Sequence, residues 1–474
     1  MQETTSASVT SNIYETLVRF DRRSFDTIPS LALSWTVKDS RVWTFALRKN
    51  VKFHDGTLCD AWAVKFNFDR QRDPRHPFHY PSYGRFHCYD SLFGSYRNAI
   101  EKVEVLDPYT LRIVLLQPDC MFLRKIALPY FAIVSPASVK KWKDEFYQNP
   151  VGTGPFRFTE WRKPSRIVLS SNRDYWGKKP FLDRIIFEPY RDPVSCLRQL
   201  ERGNLDLVSL EAYHSADDLK NRENITVVKL PRLHLCYLAL NCLRFPFQQK
   251  NARLALSYLV NRQELCSRTP MIAASAVIPP GMPGYVRHES FPYNLKKGSA
   301  LAAQCRWPSR MVMLCPEGSL PTMADPGGIA LKVSEYLRKG GVKVTVQKLP
   351  YGEFARRVRY GEYELALWGA MDETGDADTF LTTSWDPMNA RQGGSNVCFY
   401  QNAEIGELLV KARRTPEKGK RAACYKKIQE LLLADMPMVP LGYQSQAVAF
   451  QQRVRDFSPH PSGLFVLDEV WLAR

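Results

Sequence analysis

The acidic run Asp372-Glu-Thr-Gly-Asp-Ala-Asp378 holds the residue types of this chain that come closest to doing chemistry. Carboxylates at its first, fifth and seventh positions match part of a calcium loop. The glycine at the sixth position and the glutamate at the twelfth are missing, so no metal is expected there. The bland reading of Asp372 is a surface residue that caps a helix starting near Ala377. Hydrolytic and nucleophilic chemistry lack their signatures elsewhere. The eight histidines include no HxxxH pair, and no Gly-x-Ser-x-Gly elbow occurs. The eleven cysteines form no CxxC and no Cys/His cluster at metal spacing. The chain therefore reads as a protein that is not an enzyme, with no metal and no cofactor.

The acidic run needs an element to position it. Glu364 to Trp368 reads as a buried strand, and the polar segment after it opens at the strand's C-terminal end, where ligands of α/β sheets commonly lie. Period-two runs at Thr44–Leu47, Leu111–Leu115, Ile167–Ser170, Ile185–Glu188 and Val342–Val346 predict further strands. Alternation from Cys236 to Leu240 predicts another. Spacing near 3.6 predicts helices over Ala61–Gln71, Ile329–Lys339 and Glu417–Ala434. Strands and helices alternate in the second half, as in an α/β lobe with a mixed sheet. Proline and glycine are dense between Ser267 and Gly298, which predicts a surface loop. In Asn149-Pro-Val-Gly-Thr-Gly-Pro155, two glycines and two prolines predict a rigid turn before an alternating strand from Phe156 to Trp161. Tyr175 and Trp176 then cap another turn. No lysine follows the second glycine, so this is no P-loop.

A chain of 474 residues is too long for one core and predicts two or three packed units. Hydrophobic residues make up 45% and aromatics 12%, a globular composition. Apolar runs such as Ala127 to Val134 fall far short of a membrane span. The formal charge of +18 is spread thinly, with short clusters such as Lys140-Lys-Trp-Lys143 and Arg356-Arg-Val-Arg359. No nucleic-acid-binding signature accompanies it, so a basic solvated surface is expected and a nucleic-acid partner is not. Tyr80, Tyr83, Phe86 and Tyr89, interleaved with Arg85 and His87, read as packing rather than base stacking. Scattered cysteines behave as small buried hydrophobes, and taken alone they favour a reducing compartment. Met1 to Asn12 is polar and lacks the features of a signal peptide.

Several strings, taken in order, change the picture. Trp43-Thr-Phe-Ala-Leu-Arg-Lys-Asn-Val-Lys-Phe-His-Asp-Gly-Thr57 leads into Asp60-Ala-Trp-Ala-Val-Lys-Phe-Asn-Phe-Asp-Arg-Gln71. The corner Asn149–Trp161 is followed by Asp174-Tyr-Trp-Gly177 and Lys179-Pro-Phe-Leu-Asp183. Leu200-Glu-Arg-Gly-Asn-Leu-Asp206, Leu238-Ala-Leu-Asn241, Gly394-Ser-Asn396 and Pro437-Met-Val-Pro440 complete the set. The ordered series resembles the family 5 extracellular solute-binding proteins, which deliver peptides or nickel to ABC importers.

The resemblance implies an α/β, two-lobed, clam-like periplasmic binding protein of type II, with mixed sheets and an inserted subdomain in the first lobe. Lobe I would span 1–239, with the insertion at about 35–148. Lobe II would span 240–443, and 444–474 would return to lobe I. It implies a peptide ligand in the cleft between two hinged lobes, a membrane-embedded permease with its ATPase as partners, a monomer, and residence in the periplasm or cell envelope. The segment Asn12-Ile-Tyr-Glu-Thr-Leu-Val18 resembles one that normally follows a signal and a first strand, so the chain reads as beginning about one strand late. Leu367-Trp-Gly-Ala-Met-Asp-Glu-Thr-Gly-Asp-Ala-Asp-Thr-Phe-Leu381 resembles the string in which an aspartate pairs with the ligand's α-ammonium beside a tryptophan wall. A buried ammonium needs such a partner. That implies Asp372 for the ammonium and Trp368 for the wall, with Met371 and Glu373 beside them. The spacing departs by one residue, since Met371 takes the aspartate's place when Trp368 is aligned without a gap. Asn241 and Tyr130 complete the implied contacts. Leu320-Pro-Thr-Met stands where dipeptide binders carry an arginine for the ligand carboxylate. Ala127-Leu-Pro129 is followed by Tyr130 where nickel binders carry arginine, which argues against a nickel chelate. The alternatives left open are a cytoplasmic ligand-sensing protein of the same fold, or a binder of another small solute such as haem, glutathione or a nickel chelate.

Overall fold

Apolar spacing and caps decide the helices. Asp325 caps Pro326–Lys339 by accepting from the Gly328 amide at 2.9 Å, and proline takes the first turn, where it blocks no hydrogen bond. Ile329, Ala330, Val333, Tyr336 and Leu337 are its buried stripe. Asp60 caps Ala61–Arg72 in the same way. In this computed structural model the described residues are 4–79, 86–94, 100–190, 192–210, 222–267, 269–287, 292–460 and 462–473.

The chain divides into two compact units. The first comprises Met1–Ser209, Asp218–Val228 and Val448–Arg474; the second comprises Leu210–Asp217 and Lys229–Ala447. The sequence expectation set the two crossings after residues 239 and 443.

In the first unit, β1 (Val18–Phe20) pairs with β2 (Thr27–Pro29). A four-stranded antiparallel sheet follows, built from β3 (Ala32–Lys38), β4 (Val42–Leu47), β5 (Ile100–Asp107) and β6 (Thr110–Leu115) in the order β3-β4-β6-β5. Its inward residues Trp43, Phe45, Leu111 and Ile113 form one core with Val64 and Phe68 of helix Ala61–Arg72. A three-stranded sheet comes next: β7 (Phe156–Arg162), β8 (Arg166–Ser171) and β9 (Arg184–Phe187). Phe156, Leu169 and Ile185 enter a second core. Of the aromatic run, Phe86 and Tyr89 pack on the first core. Tyr80, Tyr83 and Arg85 lie outside the described residues.

The largest sheet adds β10 (Leu207–Leu210), β11 (Ile225–Leu240), β12 (Met271–Ala273), β13 (Val312–Pro316), β14 (Thr345–Leu349), β15 (Leu365–Met371) and β16 (Met438–Gln451). The order is β10-β16-β11-β15-β13-β14, with β12 on β16. Strands β13, β14 and β15 run parallel, and β11 is antiparallel to β15, so the sheet is mixed. Cys236, Cys266 and Cys315 sit in its core as small hydrophobes. Two expectations fail here. Val342 is buried in the turn that follows helix Pro326–Lys339, and the strand starts only at Thr345, because Gly340 and Gly341 spend two residues on the reversal. The stretch after Ser267 is more than a surface loop. Ala276, Val277 and Ile278 are fully buried, and Tyr443 and Gln429 satisfy the amides of Ala276 and Ile278.

Candidate functional site

β15 reads as an unbroken apolar run because it lies inside the sheet, hydrogen-bonded to β11 on one side and β13 on the other. Leu365 and Leu367 enter the core of the second unit. On the other face the Trp368 ring lies 5.5 Å from Phe354, and Tyr237, its register partner, lies 5.9 Å from Trp385. The strand ends at Met371, 43% exposed.

Asp372 follows directly and is only 4% exposed. Its amide donates to the Leu233 carbonyl at 3.0 Å, which ties it to β11. Its carboxylate accepts from the Thr374 hydroxyl at 2.9 Å and from the Gly375 amide at 2.6 Å. Burial pushes the carboxyl up to about 7 against those two hydrogen bonds, with Asp376 and Glu373 adding repulsion. The reading of Asp372 as a surface helix cap is therefore corrected. The helix does start at Ala377, but its cap is Asp376, which accepts from the Asp378 amide at 3.0 Å. Asp378 takes the Arg413 guanidinium at 3.1 Å, and Asp376 takes Arg421 at 3.4 Å. The three carboxylates that mimic a calcium loop serve three separate tasks. Asp372 alone lacks an ion-pair partner among the described residues, so it is the one left to meet a cation.

Asn241 is a second correction. It is 1% exposed, and its amide nitrogen donates to the carbonyls of Gly361 and Tyr363 at 3.1 and 3.0 Å. Its oxygen accepts from the Leu243 amide at 3.1 Å. The side chain is spent on backbone and orients the exit of β11, which removes it from the ligand contacts. Glu373 is half-buried beside Asp372. Tyr130 belongs to the first unit, half-buried in the turn Pro129–Phe131 against the core of the four-stranded sheet.

Sequence reasoning missed two residues. His234 pairs in register with Met371 and is buried, and Arg232, two residues earlier, shares its face of β11. His234 Nδ1 meets the Pro321 carbonyl at 3.1 Å. Burial, aided by the Arg232 charge, holds its imidazole down at about 4. Arg232 Nε donates to Gln446 at 3.0 Å. Arginine and histidine leading into the apolar run Leu235–Leu240 were the available signal. Thr322 covers Gly369, where a Cβ would stand 2.2 Å from the threonine hydroxyl, so only glycine lets this turn seat on β15. His234 thus touches the segment Leu320–Met323, which has no arginine of its own.

In the first unit the Asn149–Trp161 corner is organised by Glu15, another residue the motif reading left out. Its carboxylate accepts from the Thr153 hydroxyl at 2.7 Å, the Tyr175 hydroxyl at 2.8 Å and the Trp176 indole at 2.7 Å. Glu15, Tyr175, His460 and Asp468 line a cavity of about 110 Å³. Among the described residues no group of three or more His, Cys, Asp or Glu side chains could hold a metal. No described helix is long and apolar enough to cross a membrane.

The family model for bacterial extracellular solute-binding proteins, family 5 middle, matches residues 26–392. Di/tripeptide-binding protein 2 of Pseudomonas aeruginosa is 27% identical over 473 residues, covering 95% of this chain and 87% of the relative. The structure of HbpA2 from Haemophilus parasuis superposes with a TM-score of 0.90 at 25% identity, covering 100% of this chain and 96% of the other. The periplasmic binding protein DppA from Helicobacter pylori, in complex with the peptide STSA, gives a TM-score of 0.85 at 29% identity, covering 100% and 95%.

Proposed function

Because the chain belongs to the bacterial extracellular solute-binding proteins of family 5, we propose that it is the peptide-binding component of an ABC importer. It works in the cell envelope, as a monomer, with a membrane-embedded permease and its ATPase as partners. The observation that carries the ligand class is Asp372, a desolvated carboxylate at the C-terminal end of β15 with no cation of its own among the described residues. A peptide α-ammonium supplies that cation. Trp368, on the face of β15 opposite Leu365 and Leu367, forms the adjoining wall, with Glu373 as a further contact.

Titration calorimetry tests this with short peptides, the same peptides N-acetylated, free amino acids, glutathione, haem and nickel–histidine. Free-amino peptides bind. Acetylation and Asp372→Asn each remove one partner of a buried charge pair, which costs on the order of 3–5 kcal/mol. That is roughly hundreds- to thousands-fold in affinity. The two losses do not add, because both delete the same contact. Equal binding of acetylated and free peptides rules out the ammonium–Asp372 pair. Binding of nickel–histidine with no peptide binding overturns the ligand class.

A further inference from the structure

Residues 143–148 and the turn between β7 and β8 meet on the first unit, and they present aromatic rings with lysines laid over them. Lys163 Nζ stands 4.0 Å from the centroid of Trp161 and 5.8 Å from that of Tyr147. The two rings meet edge to face at 6.4 Å. Just upstream, Lys141 Nζ lies 4.7 Å over Trp142. Trp161 is 40% and Tyr147 44% exposed.

Lys140, Lys141, Lys143 and Lys163 are all exposed, and none of them makes an ion pair among the described residues. The neighbouring arginines are already engaged: Arg162 and Arg166 share Glu160 at 3.0 and 3.3 Å. Asp144 and Glu145 are the exposed acids nearby. The lysines outnumber them, so the face is net positive.

Indole and phenol rings with one wet edge are the side chains that settle at a bilayer interface. Lysines beside them are drawn to anionic headgroups, and their stems cover the apolar rings while the ammonium stays in water. A face meant only for solvent has no need of two exposed rings touching under one lysine. We propose that this face docks the protein on an anionic lipid surface, with Trp161 and Tyr147 seated among the headgroups and Lys141, Lys143 and Lys163 against their phosphates. It lies in the first unit, apart from Asp372 and β15 in the second, so docking and ligand binding use different residues.

Vesicle co-sedimentation of the full chain tests the proposal, with phosphatidylglycerol-containing vesicles set against pure phosphatidylcholine. Binding is expected to the first and not the second, and to weaken with salt. Reversing three charges (Lys141→Glu, Lys143→Glu and Lys163→Glu) lowers partitioning by at least about 100-fold, since each lysine near such a surface contributes roughly 5-fold. The same number of reversals on the second unit (Lys411→Glu, Lys426→Glu and Lys427→Glu) leaves most of the binding. Trp161→Ala weakens binding even at low salt and quenches any lipid-induced shift in indole fluorescence. Peptide affinity and thermal midpoints stay unchanged in all three variants. The proposal is overturned if anionic vesicles do not bind, if both triple variants lose binding equally, or if Trp161→Ala is silent while soluble polyglutamate competes fully. The last two results would assign the attraction to net charge alone.

Discussion

Asp372 is held in a protonation state that its usual chemistry would not give it. Burial raises its carboxyl from 3.8 to about 7, so the folded chain holds this proton more tightly than the unfolded chain does. Below about pH 4 both states are protonated and burial costs nothing. The cost grows as the pH rises and is complete above about 7. Asp372→Asn removes it. The variant should be more stable than the parent by on the order of 2–4 kcal/mol at about pH 8 and equal to it at about pH 4, read from urea denaturation. A ligand ammonium needs the ionised form, so peptide affinity should climb as the pH rises through about 7 and then level off. An affinity that is flat across that window would show that Asp372 does not pair with the ligand. Stability and binding thus pull against each other at one side chain, as expected of a site residue.

At the scale of elements, the corner before β7 depends on how closely two pieces of backbone approach. The Gly154 amide donates to the Ile13 carbonyl at 2.9 Å. A Cβ on Gly152 would stand 2.1 Å from that carbonyl oxygen, and one on Gly154 2.6 Å. Glu15, two residues after Ile13, then gathers Thr153, Tyr175 and Trp176. Gly152→Ala should therefore cost on the order of 3 kcal/mol or more, because backbone must move. Gly203→Ala is the comparison. Its φ is 75° with nothing within 4 Å, so it should cost only the left-handed penalty, about 1–2 kcal/mol. Thermal midpoints of the two variants decide the matter; equal losses would mean that the corner relaxes freely.

At the scale of the molecule, the chain's two compact units each have their own cores, two in the first and one in the second among the described residues. Units of this size with separate cores unfold as separate cooperative blocks. Scanning calorimetry should resolve two transitions. A peptide that pairs with Asp372 should raise the transition of the second unit, and Gly152→Ala should lower that of the first. A single transition with matching calorimetric and van't Hoff enthalpies would show instead that the chain melts as one block. The +18 charge adds self-repulsion that salt screens, so both midpoints should rise with moderate ionic strength.

The sequence by itself determined the family, the mixed α/β sheet, most elements and the stretch of chain that carries the candidate site, because these rest on local patterns. Alternation, helical spacing, caps and the ordered glycine and proline strings act over a few residues. What each side chain does was decided by tertiary structure. Asn241 lies in a string that resembles the family, yet the loop at Gly361 and Tyr363 claims its amide. Asp372 read from the sequence either as a ligand's partner or as a surface cap, and only its placement against β11 and the Thr374–Gly375 turn buries it and raises its carboxyl. Glu15 sits more than a hundred residues from its three donors, and His234 gains meaning only from its register against Met371. The physical reason is one of range. Propensity and capping are local, whereas desolvation and the choice of hydrogen-bond partner depend on neighbours that only the folded chain brings together.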